Sequence, residues 1–166
     1  MQLFDRYLSG IKIESGKNTY PDYSADIELV SFCLMPNHIH LLVRQQENDR
    51  SLQAFMSSLM TSYSKYFNKR HKRLGSLFES RYKARDIDDD SYLMHISRYI
   101  DMNPRYWRRY RYSSLQYVHG EMPPPWLHNE VITDMFADRH DYINFLVSYE
   151  DRKQDLKAIK HMLADT

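Results

Sequence analysis

The stretch from Ser31 to Arg44 reads SFCLMPNHIHLLVR, and two β-strands with a turn between them account for it. Ile27 to Leu34 is an apolar, β-rich run, Met35-Pro36-Asn37 carries turn chemistry, and His38 to Arg44 alternates, which predicts an antiparallel hairpin. Residues two apart on a strand project from one face, so His38 and His40 are expected side by side, with Ile39, Leu41 and Val43 packed behind them. Two imidazoles presented together can ligate a metal ion. The same spacing equally describes a solvated strand face with two surface histidines, because outward polar residues are ordinary in antiparallel sheets.

Before the hairpin, Leu3, Tyr7, Leu8 and Ile11 recur at helical spacing, and Asn18 to Tyr23 reads as a loop. After it, Ser51 is placed to cap a helix running to about His71. Leu52, Phe55, Met56, Leu59, Met60, Tyr63, Tyr66 and Phe67 mark its buried stripe, so its aromatics are assigned to core. Gly75 is read as the helix breaker. Leu77 to Arg85 then alternates like a strand, with Arg81, Lys83 and Arg85 on one face. Together with Lys69, Arg70, Lys72 and Arg73, these cations face a single acid, Glu79, and a phosphodiester backbone would relieve their repulsion. A charged strand edge that discourages aggregation fits the same pattern.

Ser91 is the expected cap of a helix from Tyr92 to Asn103, which Pro104 ends. Leu93, Ile96 and Ile100 form its buried stripe, and Tyr92, Tyr99 and Asn103 lie along its flank. Arg105 to Tyr112 interleaves arginine with aromatics, a mixture suited to stacking bases and neutralising phosphates, or to a surface loop with its rings tucked down. A short helix within Ser113–Gly120, a stiff linker over Met122–Trp126, and helices over 129–136, 138–148 and 152–163 complete the expected chain.

The bulk composition narrows the classes. With 166 residues the chain suffices for one domain with a core and a helical tail, and a net charge of +1 gives no global argument for nucleic acid, leaving local charge to carry it. The lone Cys33 rules out an internal disulfide or a cysteine-based zinc cluster. No run approaches the ~18 apolar residues of a membrane span, so a reducing cytoplasm and no membrane partner are expected.

Four stretches in order, FCLMPNHIHLLV, FNKRHKRLGSLFESRYKAR, DDDSYLMHISRYIDMNP and RYSSLQYVHG with PPWL after it, make the sequence resemble the single-tyrosine HUH transposase family. The resemblance is closest to the branch of REP-associated tyrosine transposases, and runs from roughly Asp5 to Val147. It implies an α+β fold of ferredoxin-like or RNA-recognition-like type, a small antiparallel sheet with helices packed on one face. It implies a nuclease domain over 1–113 and a C-terminal helical extension over 114–166. It also makes His38, His40 and Asn103 the metal ligands and Tyr99 the nucleophile that cuts single-stranded, hairpin-associated DNA through a 5′-phosphotyrosine link. Two imidazoles suit zinc while an amide and waters suit magnesium or manganese, and the resemblance implies Mg²⁺ or Mn²⁺. Lys69, Arg70, Lys72, Arg73, Arg81, Lys83 and Arg85 are then candidates for backbone contacts, and Tyr106, Trp107 and Tyr110 for stacking.

Three departures accompany the resemblance. Family members begin with a further strand, and nothing ahead of Leu3 supplies it, so the sheet is expected to lack its first strand through a gene start set too far downstream or truncation of the element. The stretch from Pro104 to Arg111 is short for the family, and Asp101 stands where histidine is common. Two rivals stay open: a domesticated or decayed protein that binds hairpin nucleic acid without cutting it, and a metal-dependent hydrolase that uses water in place of Tyr99. The sequence is compatible with a monomer or a homodimer.

Overall fold

The computed structural model describes residues 1–11, 14–15, 18–46 and 50–149. In chain order these form α1 (Gln2–Leu8), β1 (Glu14–Ser15), β2 (Asn18–Thr19), β3 (Ile27–Leu34), β4 (Ile39–Gln45), α2 (Ser51–His71), α3 (Asp90–Met102), a 3₁₀ turn (Trp107–Arg109), α4 (Leu115–Val118), α5 (Glu130–Thr133) and α6 (Arg139–Val147). The architecture is α+β, with β3 and β4 forming a two-stranded antiparallel sheet. The helix expected over 152–163 lies outside the described residues. The chain divides into two compact units, one of residues 1–28 and 44–82, the other of residues 29–43 and everything from Lys83 onward.

In the first unit α1 packs on α2 through tyrosines that carry both apolar area and a hydroxyl. Tyr7 hydrogen-bonds Ser62 Oγ at 2.6 Å, and Tyr23 reaches Ser58 Oγ at 2.8 Å while its ring meets Phe55 edge-on, centroids 5.8 Å apart. Asn18–Thr19, expected as loop, pairs with Glu14–Ser15 as β2, a two-residue ladder at the loop's mouth. Ser51 opens α2 without capping it; Arg50 holds that position, and the Ser51 hydroxyl donates to Asp26 Oδ2 at 2.7 Å. Phe55, Met56 and Leu59 are buried as expected, whereas Tyr63 and Tyr66 are exposed, Tyr66 at 58%: the stripe continues past the surface that covers it. Lys72, not Gly75, ends the helix. It takes a left-handed φ of 51°, and the Lys72 and Arg73 amides both bond the Asn68 carbonyl. Gly75, with φ 89°, turns the chain beyond.

No strand forms over Leu77–Arg85. The stretch is irregular and mostly exposed, because alternation becomes a strand only against a pairing partner and no described strand pairs with it.

In the second unit β3 is the deepest element, buried without a break from Leu29 to Cys33. Later segments bond to its backbone: Ser114 N donates to the Phe32 carbonyl, Leu34 N to that of Tyr112, and His128 N to that of Leu29. Val30, Cys33 and Leu42 share a core with Ile96, Tyr99 and Ile100 of α3, Leu115 and Val118 of α4, Ile132 of α5, and Tyr142 and Leu146 of α6. The expected linker over Met122–Trp126 ends in the interior, since Trp126 is buried with its ring 6.0 Å from that of Phe32. α3 begins one cap earlier than its sequence suggested. Asp89 accepts from Tyr92 N at 2.9 Å, and Ser91 spends its hydroxyl on the Asp89 carboxylate.

Candidate metal and nucleophile site

The site is built where the turn into β4 meets the C-terminal half of α3, within the second unit. Met35 N bonds the His38 carbonyl at 2.9 Å and closes the hairpin; β4 begins at Ile39, one residue later than the expected strand, so His38 at the end of the turn and His40 in the strand stand with ring centroids 4.9 Å apart. α3 brings up Tyr99 and Asn103, four residues and about one turn apart. The Tyr99 ring stands edge-on to His40 at 5.3 Å, and Asn103 Nδ2 lies 3.2 Å from His40 Nε2. His38 from the turn, Tyr99 from α3 and Asn103 from its C-terminal cap thus converge on one imidazole.

The tautomer of each ring, when neutral, follows from its partner. Asn37 Oδ1 sits 2.8 Å from His38 Nδ1 and accepts from it, which in the neutral ring leaves Nε2 with the lone pair. The Asn103 amide donates to His40 Nε2, which is then the lone-pair nitrogen of that ring as well. Turning the amide over would present Oδ1 in the same place. Two ligands on one small cation, with bonds of about 2.1 Å, lie roughly 3.0–3.4 Å apart, so the 3.2 Å spacing suits a shared ion. Among the described residues no group of three or more His, Cys, Asp or Glu is gathered to hold a metal, and the side chain that stands beside the two imidazoles is the Asn103 amide. Asn37 had no role in the sequence reading; its place immediately before the first histidine is the signal that could have found it.

Tyr99 is only 3% exposed. Behind it on α3, Asp101 is buried to the same degree and accepts from Tyr142 Oη at 2.7 Å, Ser114 Oγ at 3.2 Å and Ser31 Oγ at 3.5 Å. Burial outweighs those three donors and lifts its carboxyl to about 6.

The proposed nucleic-acid contacts divide by exposure. Lys69, Arg70, Lys72, Arg73 and Arg81, in the first unit, and Lys83 and Arg85, in the second, are all exposed, the Arg73 guanidinium 5.8 Å from the Phe67 ring centre. Of the three rings, Tyr106 is 73% exposed and offers a face. Trp107 is 6% exposed and part of the core, and Tyr110 is partly buried against that core with its phenol donating to the Leu34 carbonyl at 2.6 Å.

Residues 21–103, which include both histidines, Tyr99 and Asn103, match the family described as IS200-like transposases. The chain belongs to the IS200-like transposase family. One relative of this family member is a Haemophilus influenzae protein provisionally named a REP-associated tyrosine transposase, 31% identical over an alignment of 86 residues that covers 46% of this chain and 49% of that protein. The chain thus spans about half the length of the curated relative it matches. No solved structure matches it.

Proposed function

We propose that this chain is a metal-dependent single-stranded DNA endonuclease and strand transferase that works through Tyr99 on hairpin-associated DNA. The observation that carries the reading is the convergence of His38, Tyr99 and Asn103 around His40, a combination that a structural tyrosine or a helix-ending asparagine has no need of. His38, His40 and Asn103 would hold Mg²⁺ or Mn²⁺, which when bound supplies Lewis-acid polarisation of the scissile phosphate. Asn37 orients the His38 ring for that task. The Tyr99 phenol gives up its proton and its oxygen attacks phosphorus. A new P–O bond to tyrosine forms, the bond to the 3′ oxygen breaks, and that oxygen leaves as a hydroxyl once protonated. Because the phosphodiester energy is kept in the link, a second strand end can reverse the step and no nucleotide cofactor is consumed. The exposed cations from Lys69 to Arg85 serve as backbone contacts, and Tyr106 as a base-stacking ring.

The burial of Tyr99 favours one alternative, a protein that binds hairpin DNA without cutting it, since a phenol 3% exposed reaches no phosphate until its surroundings open. Labelled hairpin oligonucleotides incubated with the protein and Mn²⁺, run on a denaturing gel, separate the two. A covalent adduct that vanishes in Tyr99→Phe and with chelator is the expected result. Retained binding with no adduct in the wild type would leave only the binding protein.

A further inference from the structure

α3 has two working faces. One carries Tyr99 and Asn103 toward His40; the other carries Arg98 and Asp101, three residues apart, toward α6. α6 holds this second face at two points. Tyr142 Oη donates to Asp101 Oδ2 at 2.7 Å and lies 3.4 Å from Ser97 Oγ. The Arg98 guanidinium lies over the rings of Phe145 and, just past the helix, Tyr149, 4.2 Å and 3.6 Å from their centres. The Asp101 carboxylate is tied onward to β3 and α4, because Ser31 and Ser114 both reach it and bond each other at 2.9 Å. Asp101, Ser31, Ser97, Ser114 and Tyr142 line a cavity of about 10 Å³, and with Asp101 only 3% exposed its carboxylate has little bulk water to turn to. If α3 slid or rotated, a buried carboxylate would lose its donors, a cost that rises steeply with displacement.

We propose that α6 is a latch that fixes the rotation of α3, with Tyr142 and Asp101 as positioning residues for the Tyr99 and Asn103 face. The proposal gives the C-terminal helices a role in the site, exerted through α3. It rests on the reading of Tyr99 as nucleophile for its catalytic consequence, but not for its structural one.

The test uses the full chain and Tyr142→Phe, which removes one hydroxyl and keeps the ring against Phe136 and Phe145. Ring resonances of Tyr99 and His40, read by NMR on protein labelled at tyrosine and histidine, should shift or broaden in the variant, while those of Tyr7 and Tyr23 in the first unit stay in place. The control is Leu146→Val, a change in the same core and on the same helix that leaves every hydroxyl and the carboxylate of the hydrogen-bonded network in place. At matched loss of thermal stability it should leave the Tyr99 signals unmoved. In the adduct assay Tyr142→Phe should lower the single-turnover rate on the order of tenfold with hairpin affinity unchanged. Unmoved Tyr99 and His40 signals in Tyr142→Phe, or equal movement in Leu146→Val, overturn the latch. A wild type that forms no adduct overturns the nucleophile reading alone, and the ring signals then decide the latch by themselves.

Discussion

Asp101 holds its proton to about pH 6 because it is desolvated, and that has a measurable sign. Between the ordinary aspartate range near 4 and about 6, the folded protein binds a proton that the unfolded chain has released. Stability therefore falls as pH rises through that window and is level above it. The fall is on the order of 2–3 kcal/mol. Urea unfolding at pH 4.5 and 7 should show this slope in the wild type and its absence in Asp101→Asn; an identical slope in both proteins would mean the carboxyl is not the titrating group. Nothing in the sequence predicts this, since Asp101 reads there only as a departure from a family histidine. Its burial depends on Ser31, Ser114 and Tyr142, distant along the chain.

At the scale of elements, local signals translated well and non-local ones did not. The bounds of β3 and α2 agree with the expected ranges because an apolar run and a 3.6-residue stripe are written in consecutive residues. Both serine caps were misassigned because each cap position lies ahead of its serine: Arg50 holds the cap position of α2, and the Asp89 carboxylate accepts from Tyr92 N at the start of α3. Ser51 finds Asp26 across the fold and Ser91 finds Asp89 two residues back. The strand expected over 77–85 failed because pairing needs a neighbour that no local pattern encodes. For α3 the consequence is that Asp89→Ala should lower the melting temperature more than Ser91→Ala, as followed by circular dichroism. The bonds from Ser91 and Tyr92 hold the Asp89 carboxyl below its ordinary value. The cap's contribution is thus present above the usual aspartate range and lost as the pH falls through the lowered value, so the gap between the two variants should close in acid. A larger loss in Ser91→Ala would restore the serine as the cap.

For the whole molecule, a net charge of +1 hides a strongly cationic stretch, and the histidine pair hides a requirement for a helix some sixty residues later in the chain. The gathering of His38, His40, Tyr99 and Asn103 was legible because each pair sits inside a short motif with a fixed spacing, two at a hairpin turn and four along a helix. The inward packing of Trp107 and Tyr110 was not, because whether an aromatic stays exposed or packs inward depends on the surface it meets. No helix among the described residues is long and apolar enough to cross a membrane. Charge reversal at Lys69 and Arg70, both exposed at the end of α2, should weaken hairpin binding and flatten its salt dependence. The log–log slope should shrink by about 0.7 for each phosphate that the variant no longer neutralises. An unchanged slope would move the backbone contacts elsewhere.

The routing of the chain carries a consequence for how the protein can be dissected. It leaves the first unit after Glu28, returns after Val43 and leaves again after Tyr82, so each unit is assembled from two separate segments. During synthesis the histidine hairpin emerges first and has to wait, its apolar β3 uncovered, until the whole of α2 and then α3 and α6 have been made. A gene fragment cut anywhere between 44 and 82 strands the two imidazoles from the tyrosine, and no single continuous fragment yields either unit by itself. Separating the cationic helix from the histidine centre therefore calls for rejoining residues 29–43 to 83 onward through a new linker, and simple truncation series will report misfolding in place of function.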